Sequence, residues 1–195
     1  MIAALLLAAV AGAAPGAAAT PAATSETPAQ AEARAKTYFT DTELLTQSGR
    51  KVRFYSDVLA GKVVVVNFMF TRCEYACPLM TARLATLSRQ LGDRFAKDVE
   101  FVSISVDPRD TPADLAAFAK KHGVPAKGWT FLTGPREAVE GVTKRLGQWV
   151  EAPEDHGTLL LAGNTRTRHW QKLRSDSATE ALAAQVLALA GDAGP

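Results

Sequence analysis

The sequence predicts an α/β layer fold, a central mixed β-sheet flanked by helices, on three observations. Two nearly continuous apolar runs, KVVVVNFMF at residues 62–70 and VEFVSISV at 99–106, have the length and β-branched content of strands buried on both faces. Each is followed by apolar residues at helical spacing, most clearly Leu79, Met80, Leu84, Leu87 and Leu91 after the first. The alternation continues to the end of the chain, and the order β-α-β-α-β-α-β-β-α lays helices against the faces of one sheet.

The elements follow in order. The chain opens MIAALLLAAVAGAAPGAAAT, an apolar core from Ile2 to Val10 and then small residues with cleavage sites such as Ala17-x-Ala19. This predicts a signal peptide or short membrane anchor over residues 1–19, the apolar core being short for a span. No cysteine follows it closely, so a lipid anchor is not expected. Residues 20–36 (TPAATSETPAQAEARAK) carry no apolar period and predict a flexible linker, leaving one domain at 37–191. That domain begins with a hairpin extension turning at Ser48-Gly49-Arg50, its second strand alternating at Val52 and Phe54. After the first buried strand, Pro78 marks a helix start. Thr111-Pro112-Ala113-Asp114 opens a second helix, WTFL at 129–132 is a short strand, and residues 136–146 are helical by period. Leu159-Leu160-Leu161 and residues 168–173 predict a hairpin around Gly163-Asn164, and residues 178–189 a closing helix.

With 22 Lys and Arg against 20 Asp and Glu, the net charge is +2 and no basic block is segregated. Nucleic acid is therefore not an expected partner. A domain of this size also needs no covalent staple, so its two cysteines require another reason. If the leader directs export to an oxidising compartment, two nearby thiols would become a disulfide unless a reductant or a metal intervenes.

Both cysteines lie in FTRCEYACP, where the first buried strand turns into a helix. Unpaired N–H groups and the helix dipole at such a place favour thiolate over thiol. A spacing of four sets the Cβ atoms roughly 5–6 Å apart on a helix, wider than the roughly 3.8 Å a disulfide prefers. Cys73 and Cys77 could thus be a redox-active pair, a metal site or a structural disulfide. A bridge closing so few residues removes little chain entropy, which disfavours the last.

Two thiolates suit Cu(I), and an added imidazole makes a site able to hold both copper oxidation states. Of the three histidines, His122 in KKHG fits a helix C-terminus and His169 in RTRHWQK an ordinary strand position. His156, in PEDHG just before an apolar strand, stands where a loop can face the top of the central strand. It is the candidate third ligand, a plain surface-loop residue being the alternative. Asp155 is either an orienting partner for an imidazole or a solvated loop acid. Asp107-Pro108-Arg109-Asp110-Thr111-Pro112 resembles an acid/base cluster, but a strand end followed by a helix cap explains it. Lys62 and Arg72 are expected to be solvated charges, and Trp129, Trp149 and Trp170 packing residues.

TRCEYACP after an apolar strand, SISVDPRDTPADLAAFAKKHG, WTFLTG and a late DHG resemble the Sco/SenC family, thioredoxin-like copper chaperones of cytochrome c oxidase assembly. The resemblance runs from about Tyr38 to Leu189. It implies a thioredoxin-like fold and copper, Cu(I) or Cu(II), held by Cys73, Cys77 and His156. It further implies delivery to cytochrome c oxidase subunit II or another copper-accepting protein, or reduction of that acceptor's cysteines with help from a thiol reductant. The family's usual setting is periplasmic, with an N-terminal anchor in the inner membrane. Gly157 departs from the family's usual Ser after the histidine, and Gly163-Asn164-Thr165 from its usual acidic loop. Ordinary thioredoxins use Cys-x-x-Cys and place a cis-proline where His156 falls, so the pattern here favours metal over general disulfide exchange. Whether the protein is an enzyme of the thiol-disulfide oxidoreductase class stays open at this point.

Overall fold

The computed structural model describes residues 26–192. Twelve principal elements appear among them: α1 (Pro28–Phe39), β1 (Glu43–Thr46), β2 (Lys51–Arg53), β3 (Val63–Met69), α2 (Ala76–Gln90), β4 (Val99–Ser105), α3 (Pro112–Lys121), β5 (Trp129–Thr133), α4 (Arg136–Arg145), β6 (Leu160–Asn164), β7 (His169–Leu173) and α5 (Thr179–Gly191). The strands form one sheet in the order β2-β1-β5-β4-β3-β6-β7. β3, β4 and β5 are parallel, while β6 runs antiparallel to β3 and β1 antiparallel to β5. This is the mixed α/β sheet that the apolar runs predict.

β3 is central because it has apolar side chains for both faces. All seven of its residues are buried. Val63, Val65 and Met69 join Leu84 and Leu87 of α2 and Leu182 and Val186 of α5 on one side. Val64, Val66 and Phe68 join Leu132, Val139 and Val142 on the other, beneath α4 and a wide helical turn at Phe54–Leu59. The one polar residue of the strand, Asn67, is not left bare: the Ser103 hydroxyl donates to its Oδ1 at 2.6 Å, and Trp129 Nε1 donates to Ser103 at 2.8 Å. Each buried polar atom of that row thereby has a partner.

Two expectations need correction. Much of the predicted linker is helical: α1 starts within it, with Thr27 as N-cap, Gln30 closing a capping box and Pro28 in the first turn. The helix is part of the fold, since Ala31 and Phe39 are buried and the Tyr55 hydroxyl donates to Glu32 at 2.8 Å. Its polar outer face hides the apolar period, because only a narrow stripe packs. The second correction concerns the last hairpin. Gly163 and Asn164 lie within β6, and the turn falls at 165–168. Gly163 opposes Trp170, whose indole occupies the space of a Cβ, and Asn164 Nδ2 donates to the Leu189 carbonyl at 2.9 Å.

Trp129 is buried and Trp170 half-buried, whereas Trp149 is exposed, lying under the Lys144 ammonium. No helix among the described residues is long and apolar enough to cross a membrane. The predicted leader at 1–19 lies outside the described residues, as do positions 20–25 of the predicted linker.

Candidate metal and thiol site

The site forms at the C-terminal end of β3. Phe70 is still buried, the Cys73 N–H donates to its carbonyl at 3.3 Å, and α2 begins at Ala76. Tyr75, at the helix N-cap, offers no side-chain acceptor, so first-turn N–H groups are free for other partners. One finds sulfur: the Cys77 N–H points at Cys73 Sγ, 3.2 Å away. Both cysteines are free thiols, Cys73 half-buried and Cys77 buried. Burial pushes the Cys77 thiol well up from its ordinary range, and the neighbouring Cys73 adds to this. The expectation that the helix start favours thiolate therefore fails for Cys77, because desolvation outweighs the dipole there.

His156 reaches this end of the sheet through topology. β6 pairs antiparallel with β3, Leu161 opposite Val66, so the loop leading into β6 lies beside the end of β3. A short turn at Pro153–Asp155 precedes the histidine. Its Nδ1 lies 2.7 Å from the Pro153 carbonyl, which can only accept, so the proton sits on Nδ1. Nε2, the nitrogen left free of that bond, stands 3.8 Å from Cys77 Sγ, while the Phe70 ring meets the imidazole edge at 5.4 Å. A carbonyl thus sets the tautomer, and Asp155 is an exposed loop acid. A Cβ at Gly157 would meet only ordinary contacts, Gln148 Oε1 at 3.9 Å and the Leu159 nitrogen at 4.0 Å, so the larger residue usual in the family would fit.

The structure therefore brings Cys77 and His156 into contact and links Cys73 to Cys77 through a backbone N–H. Among the described residues, no three His, Cys, Asp or Glu side chains already stand as a closed metal cage. The donors are two thiols and an imidazole at an open strand end, chemistry suited to a soft or borderline ion or to thiol exchange.

The other histidines are elsewhere. His169 is exposed and pairs with Asp192 at 3.2 Å. His122 caps α3 with its ring 4.4 Å from that of Phe118, and shares an open groove with Cys73, Glu74 and Lys121. Burial, then Lys121, lowers its pKa, so the charged form that would suit a helix C-terminus is disfavoured.

Sequence reasoning missed a buried acidic pair beneath the cysteine turn. Asp107 and Asp110 are almost fully buried. Asp110 accepts from the Thr71 N–H at 2.8 Å, the Thr71 hydroxyl at 2.5 Å and the Ser105 hydroxyl at 2.6 Å. Asp107 takes Arg109 Nε and Nη2 at 3.0 Å each, and also Arg72 Nη2. Burial would raise Asp107, but the hydrogen bonds from Arg109 and Arg72 hold its carboxyl down at about 2. Arg72 is thus paired to a buried acid, and Lys62 binds Glu100 at 2.9 Å, so neither is a plain solvated charge. The helix cap is Thr111, reciprocally bonded to Asp114. The available signal was two aspartates directly after a strand with no exposed face.

Comparison with known proteins gives the family and the fold. The family described as SCO1/SenC matches residues 30–189. A SCO1 protein homolog of Bacillus subtilis is 38% identical over 58% of this chain and 59% of its own length. A protein of Stutzerimonas stutzeri whose name assigns it copper binding is 31% identical over 59% and 55%. This chain thus spans about half the length of the curated relatives it matches. Among solved structures, a SCO1/SenC family lipoprotein from Bacillus anthracis superposes with TM-score 0.66 at 32% identity, covering 76% of this chain and 92% of that one. BsSco, a Sco-family cytochrome c oxidase assembly protein in which a disulfide switch was identified, superposes with TM-score 0.65 at 27% identity, over 76% and 91%.

Proposed function

The chain belongs to the SCO1/SenC family, and from that premise we propose that it is a copper-binding metallochaperone whose cargo is held by Cys73, Cys77 and His156. One observation carries the reading: Nε2 of His156 faces Cys77 Sγ at 3.8 Å while Nδ1 is engaged by the Pro153 carbonyl. A metal-binding imidazole needs this arrangement, with one nitrogen bare and the other fixed by an acceptor. Two thiolates and an imidazole favour copper over hard ions, and three donors leave room for an incoming ligand from an acceptor. Copper then passes by exchange of one donor at a time. The acceptor we propose is cytochrome c oxidase subunit II or another exported copper protein, met on the periplasmic side with this chain exported or held at the inner membrane by its N-terminus. Family membership, the copper-binding relative and the oxidase-assembly role of BsSco support this reading.

The test is an anaerobic Cu(I) titration against a competing chelator, beside Cys73→Ser and His156→Ala. One tight equivalent is expected, lost in the cysteine variant and weakened in the histidine variant. Cu(II) should give an intense thiolate-to-copper absorption that His156→Ala alters. Wild-type binding no tighter than that of Cys73→Ser would overturn the reading.

A second reading, thiol-disulfide exchange, is favoured by the unequal exposure of the two free thiols. Cys73 thiolate attacks a client disulfide, forming a mixed disulfide and releasing one client thiolate. Cys77 then displaces the second client sulfur, leaving a Cys73–Cys77 disulfide and a client reduced by two electrons. An exported dithiol reductant restores the pair. Reduction of an oxidised acceptor without copper, lost in Cys73→Ser, would support this reading.

A further inference from the structure

We propose that Asp110 is a positioning residue for the cysteine turn: acting through Thr71, its carboxylate sets where Cys73 stands relative to Cys77 and His156. The inference rests on the reading of those three residues as the functional site. Thr71 is where the chain leaves the buried end of β3 and enters the turn, two residues before Cys73. It is held twice by one side chain, its N–H on Oδ2 and its hydroxyl on Oδ1 of Asp110. The next residue, Arg72, is held by Asp107 from the same loop. Past Cys73 the grip ends: Glu74, Tyr75 and Ala76 are exposed, and Tyr75 makes no cap. The turn is therefore fixed at its start by two aspartates and at its close by α2.

Asp110 is itself fixed. The Thr133 hydroxyl donates to its carbonyl at 2.8 Å, tying it to β5, and its own N–H reaches the Asp107 carbonyl at 3.0 Å. A buried carboxylate carries a desolvation cost that a neutral side chain avoids. What it supplies here is acceptor capacity on both oxygens for three donors, two from Thr71 and one from Ser105. Capping α3 does not require it, because Thr111 does that. The arrangement transmits the rigidity of three adjacent strands to the half-buried Cys73.

Two substitutions test this without deleting bulk. Asp110→Asn keeps volume but offers one acceptor oxygen, and Thr71→Val keeps shape but removes the hydroxyl. Ser103→Ala is the control, since it breaks the buried Asn67–Ser103–Trp129 row away from the turn. Two constants are measured in each protein: Cu(I) affinity by chelator competition, and the dithiol–disulfide equilibrium of Cys73 and Cys77 in dithiothreitol buffers without metal. Asp110→Asn and Thr71→Val should weaken copper about 10- to 100-fold and shift the disulfide equilibrium about tenfold in a direction Ser103→Ala does not share. Ser103→Ala should lose comparable stability to urea with both constants unchanged. If both test variants keep both constants within twofold of wild type, or if Ser103→Ala moves them equally, the proposal is overturned. If the wild type binds no tight copper while the disulfide equilibrium shifts as described, the copper reading fails and the positioning role stands.

Discussion

At Gly163 the missing side chain is a packing requirement. A Cβ there would lie 2.3 Å from the Trp170 ring, and that ring is itself wedged 5.0 Å from Phe39. Gly163→Ala should therefore destabilise the protein by about 1–3 kcal/mol, the usual cost of overpacking, measured as a lower urea midpoint with unchanged slope. Asp107 gives a residue-level prediction in pH. Its carboxyl is held at about 2 against an ordinary 3.8, so the charged form is favoured by folding. Its contribution is then complete above the unfolded value and is lost as pH falls from about 4 through about 2, amounting to about 2 kcal/mol. Asp107→Asn should lower stability at neutral pH and flatten the acid limb of the stability profile in that window. An unchanged acid limb would count against the Arg72–Asp107–Arg109 pairing. The residue types at the site were legible in sequence, since thiols and imidazole have few chemical uses. Which nitrogen of His156 faces the thiols was not, because it depends on where the Pro153 carbonyl points.

At the scale of elements, α1 shows how a helix escapes a reading by composition. Its sequence, PAQAEARAKTYF, places only Ala31 and Phe39 in the core, so periodicity is faint, yet the T-P-A-Q capping pattern stands at its start. Thr27→Ala should cost about 1 kcal/mol of helix stability, seen as roughly fivefold faster amide exchange in α1 with β3 and β4 unaffected. Uniform acceleration throughout would instead mean that α1 unfolds only with the whole domain. β3 and β4 were legible because burial on both faces leaves no polar position to obscure the run. The β6–β7 turn was misplaced because Gly and Asn, ordinarily turn residues, serve here to admit an indole and to bond α5.

For the whole molecule, the sheet order is what assembles the site. β3 carries the cysteine turn and β6 delivers His156 because the two strands are adjacent and antiparallel, bringing the end of one beside the start of the other. Residues 79 positions apart thereby meet. If copper binds the folded state alone, its presence must raise the unfolding midpoint in proportion to affinity. Stoichiometric Cu(I) should raise the thermal midpoint of the wild type by several degrees, His156→Ala by less and Cys77→Ser not at all. An equal rise in all three would point to binding away from this strand end.

The sequence by itself determined the α/β class, the order of the strands and helices around the core, the cysteine turn at the end of a central strand and the family to which the chain belongs. These rest on local physics: apolar periodicity, caps and the chemistry of rare residue types. Tertiary structure alone decided that Cys77 is buried while Cys73 is not, that His156 offers Nε2, that residues 28–36 join the fold and that Asp107 and Asp110 underpin the turn. Burial, tautomer and buried charge are set by neighbours distant in the chain, and no local pattern encodes which neighbours those will be.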